Sequence, residues 1–192
     1  DQFLTLERLG QRLVISQDNQ STNWFAGRIE VITRVELPPG VPVRIESRNG
    51  TLKGQDISNP LVVEKDSGSI DLVNLSGSLT IRAKSGQVSV REVRGETRIN
   101  LDNGEIEAEE VNGLRANLES GDINIVERSG IIEATSQMGS IKLTNTHGLG
   151  GDCRLRTDSG RIEFSIGKLN NCQFTAASES GQLVVPLYLD EF

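Results

Sequence analysis

The sequence predicts an all-β parallel β-solenoid, a β-helix of about 18 residues and two short strands per coil. Three observations carry that prediction: glycines at a fixed interval, apolar alternation after each, and spacing too tight to admit a helix.

Gly68, Gly77, Gly86, Gly95, Gly104 and Gly113 stand nine residues apart. One step of eight leads to Gly121, and steps of nine resume through Gly130, Gly139 and Gly148. Backward from Gly68 the interval falls on Asn59, which also tolerates left-handed backbone, then on Gly50, with Gly40 ten residues earlier. Ser or Asn usually precedes the glycine, as at Ser67, Ser76, Ser85, Asn103, Asn112, Ser120, Ser129, Ser159 and Ser180, which is turn chemistry.

After the glycine the chain alternates, as in Ser69-Ile70-Asp71-Leu72 and Asp122-Ile123-Asn124-Ile125, the mark of a strand with one buried face. Coils stacked at 18 residues align Ile70, Val88, Ile106, Ile123, Ile141, Ile162 and Leu183 in one column. Beside it run Leu72, Val90, Ala108, Ile125, Leu143, Phe164 and Val185. The opposing strand supplies Leu79, Thr97, Leu114 and Ile132, then Ile81, Ile99, Ala116, Ala134, Cys153 and Cys172. Two sheets then face each other across a thin core, and eight coils extend roughly 38 Å.

After Gly148 the interval becomes 12 at Gly160 and 21 at Gly181, which predicts longer turns bulging from one side. Residues 1–39 read as an N-terminal cap of the same domain, holding Trp24 and Phe25 and two strand-like segments, 12–16 and 28–37. Pro38-Pro39-Gly40 leads into the array at 40–192, and Pro186, Tyr188 and Phe192 are placed to close its far end.

Composition narrows the function. Aromatics are 4% of the chain, so the core must be built from Ile, Val, Leu and Ala. A net charge of −7 without a basic stripe argues against nucleic acid. No stretch of about 18 apolar residues predicts membrane insertion, and no leader is evident in the sequence.

The search for chemistry yields no catalytic residue, cofactor site or metal site. His147 is the single histidine and reads as an exposed turn residue. Glu105, Glu107, Glu109 and Glu110 form the densest acidic stretch. The stacked neighbours of Glu105 are Gln87 and Asp122, and those of Glu107 are Ser89 and Asn124, so the acids read as a solvated outer face rather than a Ca²⁺ or acid/base site. Gly150-Gly151-Asp152 lacks the third glycine of a calcium turn. Thr80 stacks on Arg98, Arg115 and Glu133, which excludes the threonine rows of an ice-binding face. Lys84, Asp102 and Glu119 form one outward row and Arg82, Asn100, Asn117 and Thr135 another, both suited to holding coils together. Aligning Cys153-Arg154-Leu155 with Cys172-Gln173-Phe174 sets the two cysteines one above the other, as a disulfide or as two buried thiols. A bridge would indicate an oxidising, extracytoplasmic location.

Leu37-Pro38-Pro39-Gly40-Val41-Pro42-Val43-Arg44-Ile45, followed by Asn49-Gly50 and the Ser-Gly-x-Ile-x-Leu units, resembles a bacterial family labelled adhesins, with β-strand repeats and no assigned biochemical function. The resemblance covers roughly residues 28 to 185. It implies a right-handed solenoid on an envelope or secreted protein and supplies no catalytic residues. The expected function is a non-catalytic structural or adhesive module of the bacterial cell surface that binds a protein or glycan. The alternative is a scaffold that self-associates end to end. A polysaccharide-cleaving solenoid ranks third, and substituting Glu105 and Glu107 should leave any such activity unchanged.

Overall fold

The computed structural model describes residues 3–9, 12–18, 39–126, 130–145, 150–166 and 173–184, with side chains from residue 39 onward except that of Ile166. A hairpin of β1 (Phe3–Leu9) and β2 (Arg12–Asp18) forms its own antiparallel sheet, and β2 lies against β3 (Val43–Ser47). The strand expected at 12–16 is present as β2, whereas the one at 28–37 falls outside the described residues. The remaining strands are β4 (Thr51–Ile57), β5 (Leu61–Leu75), β6 (Leu79–Val93), β7 (Thr97–Val111) and β8 (Leu114–Val126). They continue with β9 (Ile132–Met138), β10 (Ile141–Asn145), β11 (Cys153–Ile166) and β12 (Phe174–Val184). From β3 onward every pairing is parallel, each coil bonded to the next, which is the predicted β-solenoid.

Each coil has two sides. On the first side Leu61, Val63 and Lys65 point inward; the chain turns at Ser67-Gly68, and Ile70, Leu72 and Leu75 point inward on the second side. Long strands such as β5 run through that corner, so the two predicted sheets join as one. The column Val43, Leu61, Leu79, Thr97, Leu114, Ile132, Cys153 and Phe174 has eight members and so seven steps. Stacking, rather than any single coil, buries the core: Ile70, Val88, Ile106, Ile123, Ile141 and Ile162 are all at most 1% exposed.

Both the register and its irregularities have local causes. Between Val111 and Leu114 one residue is missing relative to the coil before, and Gly113 adopts φ +87 to make the shorter turn. The added residues of the last two coils fall between Asn145 and Cys153 and between Ile166 and Phe174, at the same corner, as the loosened spacing predicts. At the end of the second side a second column, Asp56, Asn74, Glu92 and Glu110, takes left-handed φ of 54 to 57° without glycine. Near the far end the rings of Phe164 and Phe174 meet at 4.1 Å between centroids.

Thr97 is the polar exception in its column, fully buried, with its hydroxyl donating to Gly95 O at a long 3.5 Å. Thr97→Val should therefore raise stability, by about 1 kcal/mol, because it removes a poorly satisfied hydroxyl and keeps the shape. A lower urea midpoint for the variant would show that the bond to Gly95 matters more than its length implies.

Candidate functional site

Outward-facing charges divide the solenoid into two unlike faces. On the first side most of them neutralise one another, Glu119 standing outside any ion pair among the described residues. Glu64 joins Arg44 at 2.5 Å and Arg82 at 3.2 Å, and Glu133 lies between Arg115 at 3.5 Å and Arg154 at 3.7 Å. Arg98 pairs with Glu96 at 2.9 Å, and Arg156 with Glu179 at 2.6 Å. Lys84 Nζ sits 2.7 Å from Asp66, and this hydrogen bond holds the Asp66 carboxyl below the usual carboxylate range and raises the Lys84 ammonium. Asn117 Nδ2 donates to Asn100 Oδ1 at 2.9 Å, the amide ladder expected in that row. Stacking of Thr80, Arg98, Arg115 and Glu133 is also as read from the repeat. These rows hold coil to coil, each exposed pair contributing little alone.

The second side differs at its centre. Glu105, Glu107 and Glu109 alternate outward on β7, with Gln87 and Asp122 beside Glu105, and Ser89 and Asn124 beside Glu107, as the repeat predicts. Asn124 Nδ2 donates to Glu105 Oε1 at 3.0 Å, and Asp122 Oδ1 accepts the Ser140 N–H at 3.0 Å. Arg91 is committed to Asp71 at 3.1 Å. Among the described residues, Glu107 and Glu109 have neither a cation nor a hydrogen-bond donor in contact. A shallow open groove of about 310 Å³ runs across β6, β7 and β8 here, lined by Ser89, Arg91, Glu107, Glu109, Asn124 and Val126.

The cysteines need a correction. Cys153 pairs with Ile132 on one side and Phe174 on the other, so it belongs to the column of Leu79, Thr97 and Leu114 rather than that of Ile81 and Ile99. The expected alignment with Cys172 is therefore displaced by two residues, Phe174 taking the stacked place. The reason is the 21-residue coil: the extra turn residues enter before Cys153 and again before Phe174. Cys172, like His147 and Val185, lies outside the described residues. Asp152, of the Gly-Gly-Asp turn, accepts the Gln173 N–H at 3.2 Å and so ties one coil to the next. Among the described residues no three His, Cys, Asp or Glu side chains gather as metal ligands would. Nor is any helix there long and apolar enough to cross a membrane.

One residue escaped the sequence reading. Lys65 occupies an inward position, 4% exposed, and its ammonium donates to Ser47 Oγ at 3.4 Å; burial holds it below the usual lysine range. Ser47 in turn donates to Asn49 O at 3.2 Å from an inward-facing place on β3, so the pair is a corner of the core rather than an exposed nucleophile and base. The signal was present in the alternation Leu61, Val63, Lys65, which places the lysine inside.

A family model described as Toastrack DUF4097 matches residues 10–191. No curated protein and no solved structure matches the chain.

Proposed function

The chain belongs to the Toastrack family, a domain of unknown function with a β-solenoid fold, and from that premise we propose that it is a non-catalytic binding module of the bacterial cell envelope. Its partner-facing surface is the second side of the solenoid around the groove of β6, β7 and β8. The observation that supports this reading is the contrast between faces. Most charges of the first side, Glu119 apart, are consumed in ion pairs that largely run from coil to coil, while Glu107 and Glu109 stand together on the second side with charge that no described residue neutralises. A rigid parallel array also keeps such groups in a fixed spacing at little entropic cost on binding.

End-to-end self-association is the second reading. Among the described residues no strand pairs with the outer edge of β12, and Leu183 is 46% exposed; both favour it, since an open strand edge recruits another. Against it, head-to-tail stacking would set a last coil of 21 residues on a first coil of 18.

Site-specific photo-crosslinking in the source cell tests the module reading. A crosslinker at Asn124 should give discrete adducts in the envelope fraction that disappear in the Glu107→Lys/Glu109→Lys variant, while one at Asn100 on the other side should give none. Equal adducts from both sides, or adducts indifferent to the two substitutions, would count against it.

A further inference from the structure

We propose that the occupant of this groove is an extended, positively charged peptide segment of a partner protein, an assignment that rests on the binding-module reading above. The groove crosses three rungs, from Ser89 and Arg91 through Glu107 and Glu109 to Asn124 and Val126. Rungs about 4.8 Å apart make that span match three or four residues of extended chain at about 3.3 Å each. Arg91 is neutralised by Asp71, so the charge presented to a visitor is that of Glu107 and Glu109, with Glu105 and Asp122 on the adjoining row.

Complementarity therefore asks for lysine or arginine, and for peptide rather than sugar. Asn124 spends one of its two amide hydrogens on Glu105, and its carbonyl oxygen is left to accept a backbone N–H. Val126, 47% exposed at one end of the groove, offers an apolar contact to a neighbouring side chain. No aromatic ring lines the groove, so a pyranose would find no flat surface to stack on. The sign of the face repels phosphate backbones and anionic lipid surfaces.

The test uses the full chain, isotope-labelled for NMR, titrated with three probes at low salt: a blocked alternating Lys-Val hexapeptide, its Glu-Val counterpart, and a neutral hexasaccharide. The Lys-Val peptide should shift the amides of Ser89, Asn124 and Val126, the Glu-Val peptide should not, and Glu107→Lys/Glu109→Lys should weaken the Lys-Val complex about tenfold or more. Arg154→Ala, on the other side, should leave it unchanged. If the hexasaccharide alone shifts these amides, the peptide assignment falls and the binding face stands. If the Lys-Val peptide binds with the double variant unimpaired, the groove is not its site. If no probe shifts these amides while crosslinks from Asn124 persist, the class of partner is wrong; if the crosslinks vanish as well, the binding-module reading fails with it.

Discussion

Replacing Gly104 with alanine is expected to break the array, whereas the same change at Gly113 should cost only about 1–2 kcal/mol. Gly104 is one of the corner glycines stacked directly above one another, with φ of +138°. A Cβ there would overlap the carbonyl oxygen of Gly86 in the neighbouring coil, far inside van der Waals contact. That oxygen belongs to the backbone of a paired strand, so it cannot rotate away as a flexible side chain could. Admitting the methyl means prising β6 from β7 at the corner, with loss of ladder hydrogen bonds on both sides of it. Gly113 has nothing within 4 Å of the equivalent position and demands only its left-handed φ. Because each coil of a solenoid touches only its neighbours, the Gly104 lesion should divide the array at that rung. Hydrogen exchange should show protection lost across β6 and β7 in Gly104→Ala and kept in Gly113→Ala. Equal urea midpoints for the two variants would refute the close-approach explanation and leave φ as the common cause.

The same glycines explain what could be read from the sequence and what could not. Where coils keep the 18-residue step, identity of spacing and identity of environment coincide, so the columns through Ile70 and Leu72 follow directly from counting. The step of eight to Gly121 did no harm, because the missing residue lies in a turn and alternation resumes in phase at Leu114. The two 21-residue coils were different. Matching one cysteine to another set the wrong phase, although the corner glycine keeps it: Ile132, Cys153 and Phe174 each stand seven residues before Gly139, Gly160 and Gly181. Left-handed Glu92 and Glu110 were invisible for another reason: glutamate carries no turn signature, and only its place 18 residues along from Asp56 and Asn74 marks the column. The candidate site was legible as a row of carboxylates. Its character was not, because whether Glu107 is neutralised depends on where the arginines of other coils reach.

Lys65→Met should stabilise the protein, by about 1–3 kcal/mol at neutral pH, and flatten its alkaline stability profile. An ammonium offers three donors, and among the described residues Lys65 makes one long bond, to Ser47, in a place that is otherwise 96% covered. Ala83, Leu101 and Leu118 fill the same column in the next three coils, so the surroundings already suit an unbranched apolar chain. Ser47 keeps its bond to Asn49 when the amine is removed, and no acceptor is orphaned by the change. The sign of the pH effect follows from burial. It lowers the folded-state pKa beneath the value near 10.4 that the unfolded chain retains. Between those two values the unfolded state binds more protons, so stability of the parent protein rises with pH through that window and is lost again as pH falls through the folded pKa. The methionine variant has no such proton to bind and should lack the rise. Urea midpoints measured at neutral pH and at intervals up to pH 10 decide the matter. A destabilised Lys65→Met with the alkaline rise intact would mean that the slope comes from another group and that the lysine is better satisfied than its single bond indicates. A stabilised variant would instead identify Lys65 as a standing cost at the first corner of the core, borne beside Ser47 and removable without disturbing the stack above it.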